Sequence, residues 1–244
     1  GKNHFRSFMG WYKTLEAVQE TFDVVTLREL ELNPAVLAQY SYVVVPDCPR
    51  LPRPAMLAFK AYGEQGGLLV TTDRFGRFDE YGRPIPDQAR KAVKRVEVPD
   101  DGRAVAGSMK RDTHAGNTPP LFLWRSDTPE TQAALAKATQ SLRRVREQSR
   151  VQTAVALRVE DANLRCVRWA GNDRQLLYLV SMGNQSPEGN ELIARDIPQG
   201  EVRVLADLRP ALCQSKKEND VLRVQLPKFS TCCLIEVFTI PTTK

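Results

Sequence analysis

Two histidines, His4 and His114, five scattered cysteines and a few loop carboxylates are the residues of this chain best suited to covalent or acid–base chemistry. A nucleophilic hydroxyl or thiol needs a proton acceptor within hydrogen-bond reach. Thr72, in the segment Thr71-Thr72-Asp73-Arg74-Phe75, has no histidine after it until His114, so this segment reads as a chemically inert turn. Cys48 lies in Pro46-Asp47-Cys48-Pro49, where Pro49 has no amide hydrogen to offer an oxyanion, and reads as a packing residue. The other cysteines are Cys166, Cys213, Cys232 and Cys233. Their odd total and irregular spacing fit no zinc or haem pattern, and a strand would turn Cys232 and Cys233 to opposite faces. Reduced, mostly buried thiols follow, which suit the cytoplasm. Glycoside hydrolysis needs two facing carboxyl groups roughly 5–10 Å apart. Sequence adjacency alone does not supply that in Asp79-Glu80 or Asp100-Asp101, and Asp100-Asp101-Gly102 reads as a turn. Gly63-Glu64-Gln65-Gly66-Gly67 ends a helix instead of opening one, so it cradles no phosphate. No catalytic set, metal ligand set or cofactor is implied.

Composition bounds the rest. The chain has 244 residues, 42% hydrophobic and 26% charged, long enough for one large or two ordinary globular domains. Its net charge of +6 is concentrated in residues 51–150, which carry 18 basic and 12 acidic residues. No aromatic-plus-basic motif accompanies that surplus, so it reads as a solvated face and not as a nucleic-acid surface. The longest apolar run, Leu176 to Val180, is far below the roughly 18 residues of a membrane span, and no export signal is visible; the compartment stays open.

The elements that would position these residues change rhythm along the chain. Trp11, Leu15, Val18 and Phe22 form a helical stripe, with the helix over roughly residues 5–20. Asn33-Pro34 opens a short helical turn. Tyr42-Val43-Val44-Val45 is a β-branched run suited to a parallel strand and stopped by Pro46. Pro54 opens a helix that runs to Gly66-Gly67, and Leu68 to Thr72 form the next strand. Strands joined by helices imply a parallel sheet flanked by helices. Residues 74–126 read as long loops with short elements. Asp127 or Thr128 caps a helix opened by Pro129, with the stripe Leu135, Ala138, Leu142 and Val145, serving as a connector or packing element. From 151 onward short strands follow one another without helices: Val155–Val159, Leu164–Trp169 before the turn Gly171-Asn172-Asp173, Leu176–Val180, Val202–Leu205, Leu222–Leu226 and Cys233–Val237. That spacing predicts an antiparallel β-sandwich. The predicted boundaries are an α/β domain over 1–126, a connecting helix over 127–150 and a sandwich over 151–244.

The run Tyr42-Val43-Val44-Val45-Pro46, the helix ending Tyr62-Gly63-Glu64-Gln65-Gly66-Gly67, the strand Leu68–Thr72 and the Asp79-Glu80-Tyr81-Gly82-Arg83 loop resemble one family, over residues 8–85. It is the class I glutamine amidotransferase-like domain, of the trimerisation type, that follows the catalytic barrel in bacterial β-galactosidase-like glycoside hydrolases. The C-terminal residues, including the strand running into Asn184 and Val204-Leu205-Ala206-Asp207-Leu208, are similar to the small β-sandwich that ends those enzymes. The resemblance implies a flavodoxin-like sheet. It also implies that the catalytic carboxylates lie in a barrel this chain does not contain, and that the turn at Thr71-Thr72 stands where active amidotransferases carry their cysteine. The absent strand before the first helix, and Gly1 in place of an initiator Met, imply a segment of a longer polypeptide.

The expectation is therefore a non-catalytic accessory or oligomerisation region that scaffolds a carbohydrate-processing site, as a homo-oligomer or beside a partner catalytic domain. The alternative is a carbohydrate or small-molecule binding module at the carboxyl ends of the parallel strands, where ligands bind in open α/β sheets. Asp47, Asp73, Arg74 and Phe75 fall there, with Asp79 and Glu80 in the following loop, and Trp124 or Trp169 could stack on a sugar if exposed.

Overall fold

The computed structural model describes residues 2–18, 22–111, 124–125, 128–149, 155–157, 164–171, 174–181, 189–197 and 200–239. His114, Asp127, Val159, Asn172, Asp173 and Asn184 lie outside the described residues, as does the side chain of Trp124. The chain forms two compact units, Gly1–Thr14 with Val24–Gln152, and Leu15–Asp23 with Thr153–Lys244.

The first unit is α/β. Helix α1 (Lys2–Ala17) carries the first part of the predicted stripe, Trp11 buried and Leu15 half-buried, and ends before buried Val18 and half-buried Phe22. Thr26 opens α2 (Leu27–Leu32) with a capping box, its side chain accepting from the Glu29 amide while the Glu29 carboxylate accepts from the Thr26 amide. A 3-10 turn, Pro34–Gln39, follows as the Asn33-Pro34 pair predicts. Strand β1 (Tyr42–Val45), helix α3 (Arg53–Glu64) and strand β2 (Leu68–Thr71) come next. Gly66, at φ +94°, gives the left-handed exit from α3, and the Gly67 amide bonds back to the Tyr62 carbonyl at 3.0 Å.

After a long loop, the short helix α4 (Asp87–Lys91) leads to strand β3 (Val96–Glu97) and helix α5 (Asp101–Ser108). The turn expected at Asp100-Asp101-Gly102 is a helix start: the Asp100 carboxylate accepts from the Arg103 amide at 3.1 Å, so the same Asx chemistry is used to cap. Strands β1, β2 and β3 form a three-stranded parallel sheet in that order, with Tyr42 opposite Leu68 and Val70 opposite Val96. Leu37, Leu51, Ala55, Phe59, Leu69 and Phe75 fill its core. A two-stranded pair, β4 (Lys110–Arg111) with β5 (Trp124–Arg125), precedes α6 (Pro129–Ser149). Thr128 caps α6, accepting from the Thr131 amide at 3.3 Å. The buried stripe of α6 is Thr131, Ala138, Leu142 and Val145, with Leu135 half-buried. Helix α6 packs within the first unit: Ala138 lies with Val105 of α5 and with Met109 just after it, and Asp101 accepts from Ser141 Oγ at 2.8 Å and pairs with Lys137 at 3.1 Å.

In the second unit, β6 (Val155–Leu157), β7 (Leu164–Ala170), β8 (Arg174–Ser181), β9 (Glu191–Ala194), β10 (Gly200–Ala206), β11 (Arg209–Pro210), β12 (Ser215–Glu218), β13 (Val221–Gln225) and β14 (Cys232–Thr239) form two antiparallel sheets. Their orders are β11-β10-β14-β8-β7 and β12-β13-β9-β6. Both contribute to one core, in which Leu177, Leu179, Ile235 and Val237 of the first sheet meet Leu192, Leu222 and Val224 of the second. Cys233 is one of these inward residues; Cys232 points to the other face, as expected for neighbours on a strand, yet is also buried.

Candidate functional site

The carboxyl ends of β1, β2 and β3 deliver Asp47, Arg74 and Asp100 to one edge of the parallel sheet, and α1 lays His4 and Ser7 against them. The Asp47 side chain is 1% exposed and that of Arg74 33%. Arg74 Nε donates to Asp47 Oδ1 at 2.7 Å and Nη2 to Oδ2 at 2.6 Å, a two-point fork that engages both carboxylate oxygens. The hydrogen bond to Asp47 raises the affinity of Arg74 for its proton, against desolvation and with help from the charges of Asp47, Asp73 and Asp100. Ser7 Oγ ties two strand ends to the helix, donating to Asp100 Oδ1 at 2.7 Å and accepting from the Asp47 amide at 2.9 Å. His4 Nδ1 lies 2.7 Å from the Asp47 carbonyl, which only accepts, so Nδ1 is the donor.

This docking depends on a close crossing. Gly10 of α1 faces Gly102 of α5 so tightly that a Cβ on Gly10 would lie 1.6 Å from the Gly102 carbonyl oxygen, while a Cβ on Gly102 would meet the Trp11 ring at 2.5 Å. The hydroxyls of Thr71 and Thr72 at the end of β2, and the Trp11 indole N–H, are buried without a hydrogen-bond partner among the described residues.

The remaining residues singled out from the sequence are placed separately. Asp73 is exposed, with Arg77 Nη2 at 3.9 Å. Phe75 is 1% exposed and faces the core, its ring 5.8 Å from that of Phe59 and beneath the Arg95 guanidinium at 5.2 Å. Asp79 organises its loop, accepting from the Tyr81 amide at 2.9 Å, the Arg83 amide at 2.8 Å and Arg83 Nε at 2.7 Å. Desolvation works to raise its pKa, and the hydrogen bonds from Arg83 and Tyr81 outweigh it and lower it. Glu80 Oε2 accepts from the Arg53 amide at 3.3 Å, at the first turn of α3. Cys48 donates to the Arg50 carbonyl at 3.3 Å; burial, then the charge of Asp47, push its thiol up to about 11, so it is protonated at neutral pH.

His4, Ser7 and Asp100 join this edge although the sequence did not single them out for it. The available signal was spacing: His4, Ser7, Trp11 and Thr14 fall on one helical face. What places that face against β1 and β3 is the Gly10–Gly102 contact, and the two glycines are 92 positions apart. Among the described residues no group of three His, Cys, Asp or Glu could hold a metal ion, and no helix is long and apolar enough to cross a membrane.

No family model and no curated protein sequence matches the chain. Its fold is one found within glycoside hydrolases. α-L-Fucosidase isoenzyme 2 from Paenibacillus thiaminolyticus is similar with a TM-score of 0.63 at 11% identity, over 96% of this chain and 45% of that one. Gan42B, a GH42 β-galactosidase from G. stearothermophilus, gives 0.53 at 12% identity, over 97% of this chain and 36% of that one. The β-galactosidase from Bacillus circulans sp. alkalophilus gives 0.51 at 10%, over 96% and 38%. This chain thus spans less than half the length of each of these structures.

Proposed function

We propose that this chain is a non-catalytic accessory region of a β-galactosidase-like glycoside hydrolase, in which an amidotransferase-like, flavodoxin-type domain and a terminal β-sandwich scaffold a carbohydrate-processing site carried elsewhere. The observation that supports it is the fold likeness: nearly the whole chain is similar to a minor part of longer glycoside hydrolases. The edge where an α/β protein of this kind binds its ligand also fits the reading. Of its buried carboxylates, Asp47 has both oxygens engaged by Arg74 and Asp100 accepts from Ser7 Oγ and the Arg103 amide, and the nearby thiol of Cys48 is buried and protonated.

The scaffold acts by self-association or by seating a partner catalytic domain. Sedimentation of the purified chain is expected to show a trimer or another defined oligomer, and a strict monomer at high concentration overturns the oligomerisation role. Assays on nitrophenyl glycosides and glutamine are expected to show no turnover; robust turnover of either overturns the non-catalytic reading.

The second reading, a carbohydrate site at the same sheet edge, is favoured by the exposure of Asp73, which precedes Arg74 after β2. Calorimetry against a galactoside panel checks it: saturable heat abolished by Asp73→Ala supports it, and silence across the panel removes it.

A further inference from the structure

The two edges of the parallel sheet are built differently. Strand β1 is the outer member of the order β1-β2-β3. Its residues, Tyr42-Val43-Val44-Val45, carry no charge and no proline, and the first three are half-buried where β2 beside them is buried throughout. Among the described residues, Val43, Val44 and Val45 make no backbone hydrogen bond beyond their ladder with β2. An edge strand presents a row of amide and carbonyl groups that can bind another strand, and proteins ordinarily blunt such edges with charge, proline or short length. The opposite edge, β3, is blunted in that way: it has two residues, one of them Glu97, with Arg95 before it and Pro99 after it. β1 carries none of these devices.

The position of α1 bears on what this edge takes up. In a parallel sheet a helix that follows a strand begins at the carboxyl ends of the strands, because the chain leaves the strand there. Helix α3 begins in this way at Arg53 after β1, and α5 at Asp101 after β3, with only Val98, Pro99 and Asp100 between. Helix α1 begins at the same edge. His4, in its first turn, reaches the Asp47 carbonyl just past β1 at 2.7 Å, and Ser7 reaches the Asp47 amide at 2.9 Å and Asp100, past β3, at 2.7 Å. Helix α1 therefore stands as a crossover helix stands, its first turn over the end of the strand whose outer side is open. A strand leading into it, and running in the direction of β1, has a slot beside β1.

We propose that the outer edge of β1 is the seat of a fourth parallel strand, an apolar segment about as long as β1 that belongs to the polypeptide leading into α1. Pairing of this kind is backbone to backbone, so the edge selects an extended, uncharged, proline-free segment. A parallel neighbour would bury Val43 and Val44 as β2 is buried, and β-branched runs of this kind are what strands covered on both faces carry. A second copy pairing through the same edge would run antiparallel by two-fold symmetry, and the placement of α1 would then have no bearing on it.

The test extends the full chain ahead of Gly1 with Lys-Val-Leu-Val-Val and then Asn-Ser, so that with Gly1 the connection to α1 is as long as Val98-Pro99-Asp100 between β3 and α5. The control carries proline in place of the leucine of the extension. Expected in the first chain, and in neither the control nor the unextended chain, are a higher urea midpoint and hydrogen exchange at least about tenfold slower at the β1 amides that point away from β2. An unchanged midpoint, or equal exchange in the two extended chains, overturns the proposal. Slow exchange of those amides in the unextended chain at high concentration also overturns it, and would give the edge to a second copy. The reading frame is the remaining arm: the codons directly ahead of Gly1 are expected to encode a run of Val, Ile or Leu, and a charged or proline-containing run there overturns the proposal.

Discussion

Replacing Arg74 by alanine tests the electrostatics of the sheet edge. The substitution removes both charge-assisted hydrogen bonds to Asp47, at 2.7 and 2.6 Å, and leaves a carboxylate that is 1% exposed in the native structure. Removing one partner of a buried ion pair costs about 3–5 kcal/mol. Arg74 is itself one-third exposed, so water reaches part of the vacated space and the lower end, about 3 kcal/mol, applies. Combining Arg74→Ala with Asp47→Asn removes the charge that needs a partner, and should recover much of the loss. Urea denaturation followed by circular dichroism at pH 7.5 measures both variants. An Arg74→Ala deficit below about 1 kcal/mol would refute the reasoning, as would a double variant no more stable than Arg74→Ala.

Three further outcomes follow from the same geometry. Gly10→Ala should destabilise the first unit by about 3 kcal/mol or more, because its Cβ would meet the Gly102 carbonyl at 1.6 Å, whereas Gly107→Ala in α5, with open space around it, should stabilise by about 0.5–1 kcal/mol; equal urea midpoints for the two variants would contradict this. In the second unit the amides of Ser230, Thr231 and Cys232 hold the Asp207 carboxyl down at about 2 against an ordinary 3.8, so its contribution is complete above pH 4 and lost as pH falls through 2. A carbon-13 titration of Asp207 in the folded chain with a midpoint near 4 would show that those hydrogen bonds do not form. Of the five cysteines, only half-exposed Cys213 should react promptly with a thiol reagent in the native state, the other four waiting for unfolding; fast loss of two or more thiols would count against the burial of the rest.

The sequence by itself determined the local elements and their order. β-branched Tyr42–Val45, the Gly66-Gly67 exit from α3, Pro129 at the head of α6 and the alternating runs after 155 each carry their conformation in a few neighbouring residues, where sterics and periodicity act at short range. The capping box at Thr26 and Glu29, which was not singled out from the sequence, is equally local. Tertiary structure alone decided which residues meet. Asp47 and Arg74 are 27 positions apart, Ser7 and Asp100 are 93 apart, and the glycine contact that seats α1 on α5 has no local signature. It likewise sent Phe75 into the core and left Trp169 half in water, because the choice between two faces of a turn or strand is made by whatever packs against each face.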